Sequence, residues 1–553
     1  MPYGNASSGC DPGLPTLGIY AVPDRGEYKW PGFTHDHSLC LMQGGKIQTY
    51  LHLERYSRRK YDNRLHLYLD ELAPLLNLPE RFDVVSVNSF VGTAFLSPTG
   101  RYWFDSATPT RPVAGLRAGM GHWNGQQAYF HGIDHELAHV FSVMPFFPTL
   151  HERTLLVHFD GGATHGNFSA FMYQGGKLNK LECHWELSRL SKWFNDNALT
   201  FKMLGAEPGE HCSVPGKLMG YAAFGTPSPE IAAWLVENDY FRNIWTDSSP
   251  FFRSARRRFE FAETFLDLRN EFVQNVAATF QWMFENEATK KILELQAKTG
   301  AEYLYYAGGC ALNIVTNTKI VESGAFRDVF IPPCCNDSGL SVGAAAFVEW
   351  RKHGKLSEHG PFLNNFGTSE NAVEPETVRA AAETILAGGV VGVCNGAGEA
   401  GPRALGNRSL LARADDPALA FKLSVECKKR EWYRPVAPVA LLRNAPRFTE
   451  ENVLHSLARY MLLDYRVPEK KRDGIRGAVH VNGTARMQTL ENREENPFIY
   501  ELLSFLEERG VYALINTSFN AAGEPIVHTP EQALASMRSM RLDGLVLHQR
   551  WIK

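Results

Sequence analysis

Short apolar runs bounded by glycine or polar residues recur through the first part of the chain: TLGIY at 16–20, SLCLMQ at 38–43 and KIQTYLHL at 46–53. Runs of this length and composition predict strands. Gly44 and Gly45 separate the last two, and glycine accepts the positive φ of a tight hairpin turn. DVVSV at 83–87 and TLLVHFD at 154–160 predict two further strands. Between 261 and 296 the period lengthens, with Phe272, Val276 and Phe280 at four-residue spacing, which predicts one long helix. It leads into AEYLYYAGGCALN at 301–313, read as a strand, a Gly-Gly turn and a helix start.

The stretch RKHGKLSEHGPFLNNFGTSENAV, 351–373, is polar and aperiodic, the composition expected where few contacts cross. It predicts a boundary between two units, 1–355 and 374–553. Beyond it come a helix at 374–387, a buried strand GVVGVC at 389–394 and a strand VYALINT at 511–517. Alternating strands and helices in both halves predict an α/β protein. A chain of 553 residues exceeds one hydrophobic core, which suits this division. No repeat of 20 to 50 residues is visible, which disfavours solenoids and propellers.

Composition narrows the function classes. With 44% hydrophobic and 21% charged residues the chain is globular, and a net charge of −3 without a basic tail disfavours a nucleic-acid partner. No apolar run is long enough for a membrane helix. The start MPYGNASSGCDPG lacks a secretory pattern, and nine scattered cysteines do not form a disulfide framework, so a cytoplasmic location is expected.

Asp134 is a candidate N-cap, and the spacing of His135 and His139 puts both imidazoles on one helical face, where they can share a metal ion. With 19 histidines, chance alone supplies roughly 0.65 such pairs, so the spacing is weak evidence by itself. The letters HELAH also fit a zinc protease with Glu136 as base. Asp160 ends an apolar run before Gly161 and Gly162, and Asp337 precedes a small-residue helix. Two imidazoles and two carboxylates make a mixed N/O set suited to iron, manganese or zinc. Gly308 and Gly309 form a turn whose N–H groups can cradle a phosphate. Gly396, Gly398 and Gly401 spell a dinucleotide fingerprint, but no second strand ending in an acid follows at the required distance. Between 395 and 440, eight Lys or Arg oppose five Asp or Glu, a candidate polyanion pocket whose alternative is a solvated helix face at KKREWYR.

In chain order, THDHSLCLMQGGKI, LERYSRRK, DHELAH, PGKLMGYAAFG, GGCALNIVTN, NDSGLSVGAA, GPRALGNRSLLA, KKREWYRPVAPV, HVNGTARMQT and NTSFNAAGEPIVHTP resemble the NodU/CmcH family of carbamoyltransferases over nearly the whole chain. The resemblance implies a two-lobed N-terminal domain of the actin-like ATPase and sugar-kinase type, followed by a YrdC-like α/β domain. The second would convert carbamoyl phosphate and ATP, with Mg2+, to carbamoyl-adenylate. The first would pass the carbamoyl group to a hydroxyl of a small metabolite, in natural-product tailoring, with no nucleic-acid or membrane partner. Carried over position by position, His35 and Asp36 are catalytic, and His135, His139, Asp160 and Asp337 hold Fe2+ or another divalent metal. Lys217, Gly308, Gly309 and Asn313 bind nucleotide in the first domain. Arg403, Arg408, Lys428, Arg430, Arg434, Arg486, Ser518 and Asn520 surround carbamoyl phosphate and ATP in the second, with Lys429 an alternative to Lys428. The chain departs from the family in an insertion, VPDRGEYKWPGF at 22–33, in His37 where a small residue is usual, in FDGGATHGN, which lacks an acidic residue after its glycines, and in Asn482. These departures imply an unusual acceptor, whose contacts are expected from the insertion and from loops at 165–255. Competing readings are a tRNA threonylcarbamoyl-type transferase and a degenerate nucleotide-binding regulator. The oligomeric state is not legible.

Overall fold

The computed structural model describes residues 11–24, 33–107, 110–187, 190, 197–206, 210–366 and 373–553. Positions 25–32 of the insertion and 367–372 of the polar stretch lie outside the described residues.

The first sheet contains β1 (Thr16–Tyr20), β2 (Ser38–Gln43), β3 (Lys46–His52), β4 (Arg81–Val87), β5 (Phe95–Leu96), β6 (Tyr102–Ser106), β7 (Leu116–Trp123) and β8 (Gln127–Ile133). Its order is β3-β2-β1-β4-β8-β7-β6-β5. The expected hairpin is β2–β3, with Gly44 at φ 57° and Gly45 at φ 76°. β1 runs antiparallel to β2 and parallel to β4, which is parallel to β8. The second sheet, from β9 (Thr154–Phe159), β10 (Phe168–Gln174), β11 (Lys177–His184), β12 (Tyr303–Ala307) and β13 (Asp328–Phe330), has the order β11-β10-β9-β12-β13. Here too the first three strands are antiparallel, and the first is parallel to the fourth, which is parallel to the next. The same order and sense in two successive sheets make this a two-lobed unit of the expected actin-like kind.

The third sheet is mixed. It joins β14 (Val391–Cys394), β15 (Arg408–Arg413), β16 (Ala437–Leu441), β19 (Gln488–Leu490), β20 (Ala513–Ser518), β21 (Gly544–Leu547) and β22 (Arg550–Ile552) in the order β19-β16-β20-β15-β14-β21-β22. A short ribbon, β17 (Tyr465–Arg466) with β18 (Thr484–Ala485), stands apart from it. The whole chain is thus α/β, as the alternation predicted. After β14 no helix follows the three glycines; the chain returns as the antiparallel β15, which removes the dinucleotide reading.

Two expectations need correction. The long helix spans Glu271–Thr299 rather than starting at 261, because Asn270 is extended and its side chain accepts the Phe272 N–H at 2.9 Å, capping the helix there. Phe261 is apolar because its ring packs 4.9 Å from that of Phe272, outside any helical period. The 354–366 stretch is also rich in contacts despite its polar composition. Ser357 N–H reaches Gly45 O at 3.0 Å, His359 N–H reaches Pro145 O at 2.7 Å, and Asn364 bridges both Tyr50 and Gly398. Polar residues here satisfy neighbouring backbone instead of water.

The helix Leu340–His353 lies against β1, β2 and the short helix His135–Phe141. It approaches so closely that a Cβ at Gly343 would sit 1.7 Å from Ala138 O, and one at Gly18 would sit 2.1 Å from Ser341 O. This contact brings the start of one helix and the turn before the other to the same place.

Candidate active site

That place holds the four predicted metal ligands. His135 and His139 share a face of their helix, with Nε2 atoms 3.0 Å apart. Asp160 follows the last residue of β9, and Asp337 starts the turn before Leu340. His139 Nε2 lies 3.3 Å from both Asp160 Oδ2 and Asp337 Oδ1, and His135 Nε2 lies 3.5 Å from Asp337 Oδ1. All four are buried, with one donor atom of each within 4.8 Å of the others. Burial opposes charge on His139, but the two carboxylates outweigh it and lift its pKa to about 9. The Nδ1 atoms of both histidines have no hydrogen-bond partner among the described residues. Buried carboxylates and imidazoles aimed at one point fit a divalent cation better than they fit one another. Asp134 stands at the N-cap position, but its carboxylate makes no capping bond; Arg117 holds it at 2.7 and 2.8 Å. Glu136 accepts the Thr164 N–H at 3.0 Å, and burial raises its pKa to about 7.

His35 and Asp36 adjoin this cluster. His35 Nδ1 is 3.1 Å from Asp36 Oδ2, and its Nε2 is 3.9 Å from Asp337 Oδ2. Asp36, at φ 55°, is also bound by His52 Nε2 at 3.0 Å and Asn336 Nδ2 at 2.9 Å. His35 is thereby fixed by a carboxylate that is itself held from two other segments. Burial would lower the His35 pKa, but Cys212, Asp337 and Asp36 outweigh it and raise the pKa well above the usual imidazole value. Sequence reasoning missed His52, Asn336, Cys212, Tyr20, whose hydroxyl reaches Asp337 Oδ2 at 3.3 Å, and His158, which stacks 5.1 Å from His139. No periodicity marks any of them. His37 is fully buried, 4.8 Å from the Tyr20 ring, and fills interior space rather than lining a cleft.

The expected glycine cradle is occupied by the protein. Gly308, at φ 104°, donates its N–H to Cys335 O at 2.8 Å, and Gly309 donates to Asp160 Oδ2 at 2.7 Å. The turn therefore positions the Asp160 carboxylate, and both of its amides are engaged within the protein. Asn313 caps the helix Ile314–Glu322 and pairs with Gln281 through both ends of its amide, at 3.1 and 3.2 Å. Lys217 lies between Glu210 at 3.2 Å and Glu431 at 3.0 Å, joining the second lobe to the REWYRP segment.

A cationic cluster occupies the third-sheet region. Lys428, not Lys429, turns inward: its Nζ donates to both Asn520 O and Asn520 Oδ1 at 2.9 Å and to Ser518 O. Arg430 Nη2 donates to Ser518 Oγ at 3.1 Å. KKREWYR is thus no solvated helix face. Burial, then Arg434 and Arg403, lowers the Arg430 pKa to about 9, and burial with Arg403, Arg430 and Arg434 depresses Arg486. Burial also lowers Arg403, with Arg434 adding to the effect. The Nε atoms of Arg403 and Arg486 are buried and have no hydrogen-bond partner among the described residues. Mutual repulsion among these groups is what an anion would relieve. Arg408 does not join them: its guanidinium donates to the carbonyls of His528, Asn395, Asn407 and Gly396, and it ties strands together instead.

Among the described residues no helix is long and apolar enough to cross a membrane. Comparison with known proteins bears on the whole chain. Nodulation protein NolNO of Sinorhizobium fredii is 29% identical over 94% of this chain and 79% of its own length. A 3'-hydroxymethylcephem-O-carbamoyltransferase of Streptomyces clavuligerus is 28% identical over 94% of this chain and 97% of its own. Full-length HypF, solved with phosphate and nucleotide, aligns with 61% of this chain and 55% of its own at 12% identity and a TM-score of 0.32. The carbamoyltransferase N-terminus family matches residues 126–346, and the carbamoyltransferase C-terminus family matches 382–553. The metal-type cluster and the cationic cluster therefore lie in the two matched segments of one enzyme, and the chain belongs to the NodU/CmcH family of carbamoyltransferases.

Proposed function

We propose that this carbamoyltransferase is an ATP-dependent O-carbamoyltransferase with two units, 1–355 and 374–553. In the second, water cleaves carbamoyl phosphate to carbamate and phosphate, and the carbamate oxygen displaces pyrophosphate from MgATP to give carbamoyl-adenylate; in the first, the carbamoyl group passes to a hydroxyl of a small metabolite. The observation that carries this reading is the half-buried cluster of Arg403, Arg430 and Arg486 about Arg434, in which burial and the neighbouring guanidinium groups lower the proton affinity of the first three. Guanidinium groups so placed hold phosphate oxygens and stabilise the charge that moves onto them as the adenylate forms. Lys428, fixed by Ser518 and Asn520, adds an amine whose proton burial and the neighbouring Arg430 and Arg434 disfavour and a bound phosphate would favour.

The donor set of His135, His139, Asp160 and Asp337 suits a divalent cation, Fe2+ being the metal the family resemblance suggests. Such an ion supplies a Lewis acid for the phosphate or the carbamoyl oxygen. His35, aligned through Nδ1 by Asp36 and held protonated by its raised proton affinity, is placed to orient the acceptor hydroxyl by hydrogen bonding, and the hydroxyl proton passes to the departing AMP phosphate as the new C–O bond forms. The Streptomyces relative, named for carbamoylating a hydroxymethyl group, supports an alcohol acceptor and a role in antibiotic or other natural-product tailoring. A cytoplasmic location accords with ATP as a substrate.

Pyrophosphate release from ATP by the metal-loaded protein should require carbamoyl phosphate. Equal release with and without carbamoyl phosphate, or none in either case, would overturn the proposal.

A further inference from the structure

Three exposed aromatic side chains come from segments that are linked to the candidate site. Phe33 is 55% exposed, Phe90 39% and Trp185 43%, values at odds with their size and apolarity. They form one continuous surface: the Phe33 and Phe90 rings meet edge to face at 5.4 Å, and Phe90 and Trp185 do so at 5.9 Å. Each ring comes from a different segment, so the surface results from the fold and not from a local run of apolar residues.

Each segment is also tied to a group of the candidate site. Phe33 lies two residues before His35, and the backbone amides of Phe33 and Thr34 both donate to Asp24 Oδ1, at 3.0 and 2.8 Å. Phe90 lies in a turn closed by Ser89 and Gly92, whose amides and carbonyls exchange bonds of 2.9 and 3.2 Å. That turn is joined to the metal-type helix: Asn88 O accepts from Thr164 Oγ1 at 3.2 Å, and Thr164 Oγ1 accepts the His135 N–H at 2.9 Å. Trp185 and Phe90 both close over Gly162, two residues beyond Asp160, where a Cβ would come within 3.1 Å of the indole and 3.5 Å of the phenyl ring. Only a residue without a side chain leaves the indole in that position. The rings are thus held before any ligand arrives, the arrangement by which a binding site limits the ordering cost of association.

We infer that Phe33, Phe90 and Trp185 form the acceptor platform, and that the acceptor's hydroxyl is carried on a flat, apolar ring system that packs against these rings. This deepens the carbamoyl-transfer reading and rests on it. Edge-to-face neighbours leave ring faces and edges free for one more ring, whereas an open-chain polyol would cover the same apolar surface with hydroxyls and gain little. Phe33 is the last residue of the 22–33 insertion, so the platform takes one of its rings from a segment in which this chain departs from the family.

The test is saturation-transfer NMR on the full-length, divalent-cation-loaded protein with phenyl β-D-glucoside, methyl β-D-glucoside and glycerol as probes. The phenyl probe should bind the unsubstituted protein, and W185A and F90A should weaken it about tenfold, the size expected for losing one aromatic contact. W185F should restore most of the binding. F33A, at the most exposed of the three positions, serves as a further variant, and circular dichroism with the thermal midpoint separates loss of binding from loss of fold. Equal binding of the phenyl and methyl probes, preference for glycerol, or undiminished phenyl binding in folded variants would overturn the platform. Carbamoyl-phosphate-dependent pyrophosphate release by the unsubstituted protein is measured in parallel. Its absence would sink the transfer reading and leave the probe result to judge the platform separately.

Discussion

His139 touches both carboxylates of the cluster, whereas His135 touches only Asp337, so the four donors do not contribute equally. His139→Ala and Asp337→Asn should each reduce bound iron or zinc by more than tenfold in elemental analysis after dialysis, a loss expected when one of four ligands is removed. Retention of near-stoichiometric metal in both would remove the assignment. Much of this cluster was legible because His135 and His139 are four residues apart on one helix, and because Asp160 ends an apolar run. The residues that orient His35 were not. Asp36 is bound by His52, 16 positions away, and by Asn336, 300 positions away, and neither separation leaves a local pattern. Arg408 was misread for a related reason: an arginine among arginines looks like a phosphate ligand until its carbonyl partners are known.

Elements, rather than single side chains, set the distance between the histidine pair and Asp337. Gly343→Ala would force a methyl into the 1.7 Å approach to Ala138 O and push two helices apart. Overpacking of this kind costs roughly 1–3 kcal/mol. The variant should therefore unfold at lower urea concentration and also bind metal more weakly, although residue 343 is no ligand; unchanged values for both would show that the helices can separate without cost. Strands of this protein were easy to foresee, since their apolar runs are short and bounded. Helix starts were harder, and Asn270 shows why: one capping side chain overrides ten residues of suggestive apolar spacing. The Gly308–Gly309 turn was foreseen in position but not in use, because sequence does not reveal that its amides meet Asp160 and Cys335.

Across the whole molecule, the arginine cluster stores repulsion that a polyanion should release. Magnesium pyrophosphate at about a hundred times its dissociation constant should add about 2.7 kcal/mol and raise the thermal midpoint by several degrees. Arg430→Ala or Arg486→Ala should shrink that rise; an equal rise in both variants would mean the anion binds elsewhere. The doubled sheet order was invisible in the sequence because strand order is a matter of pairing, and two sheets can share it with no detectable repeat. The polar stretch near 360 was deceptive in the opposite sense, resembling a loose tether. It is braced by Gly45 and Pro145 on one side, while Asn364 and Pro361 engage Gly398 and Ala400 on the other. Arg55 and Arg58 add side-chain bonds to Gly401 O at 2.9 Å and Ile526 O at 2.7 Å. Among the described residues this strut is bonded to both neighbours, so under the proposed reaction a labile compound passing between them would cross a seam held from either side.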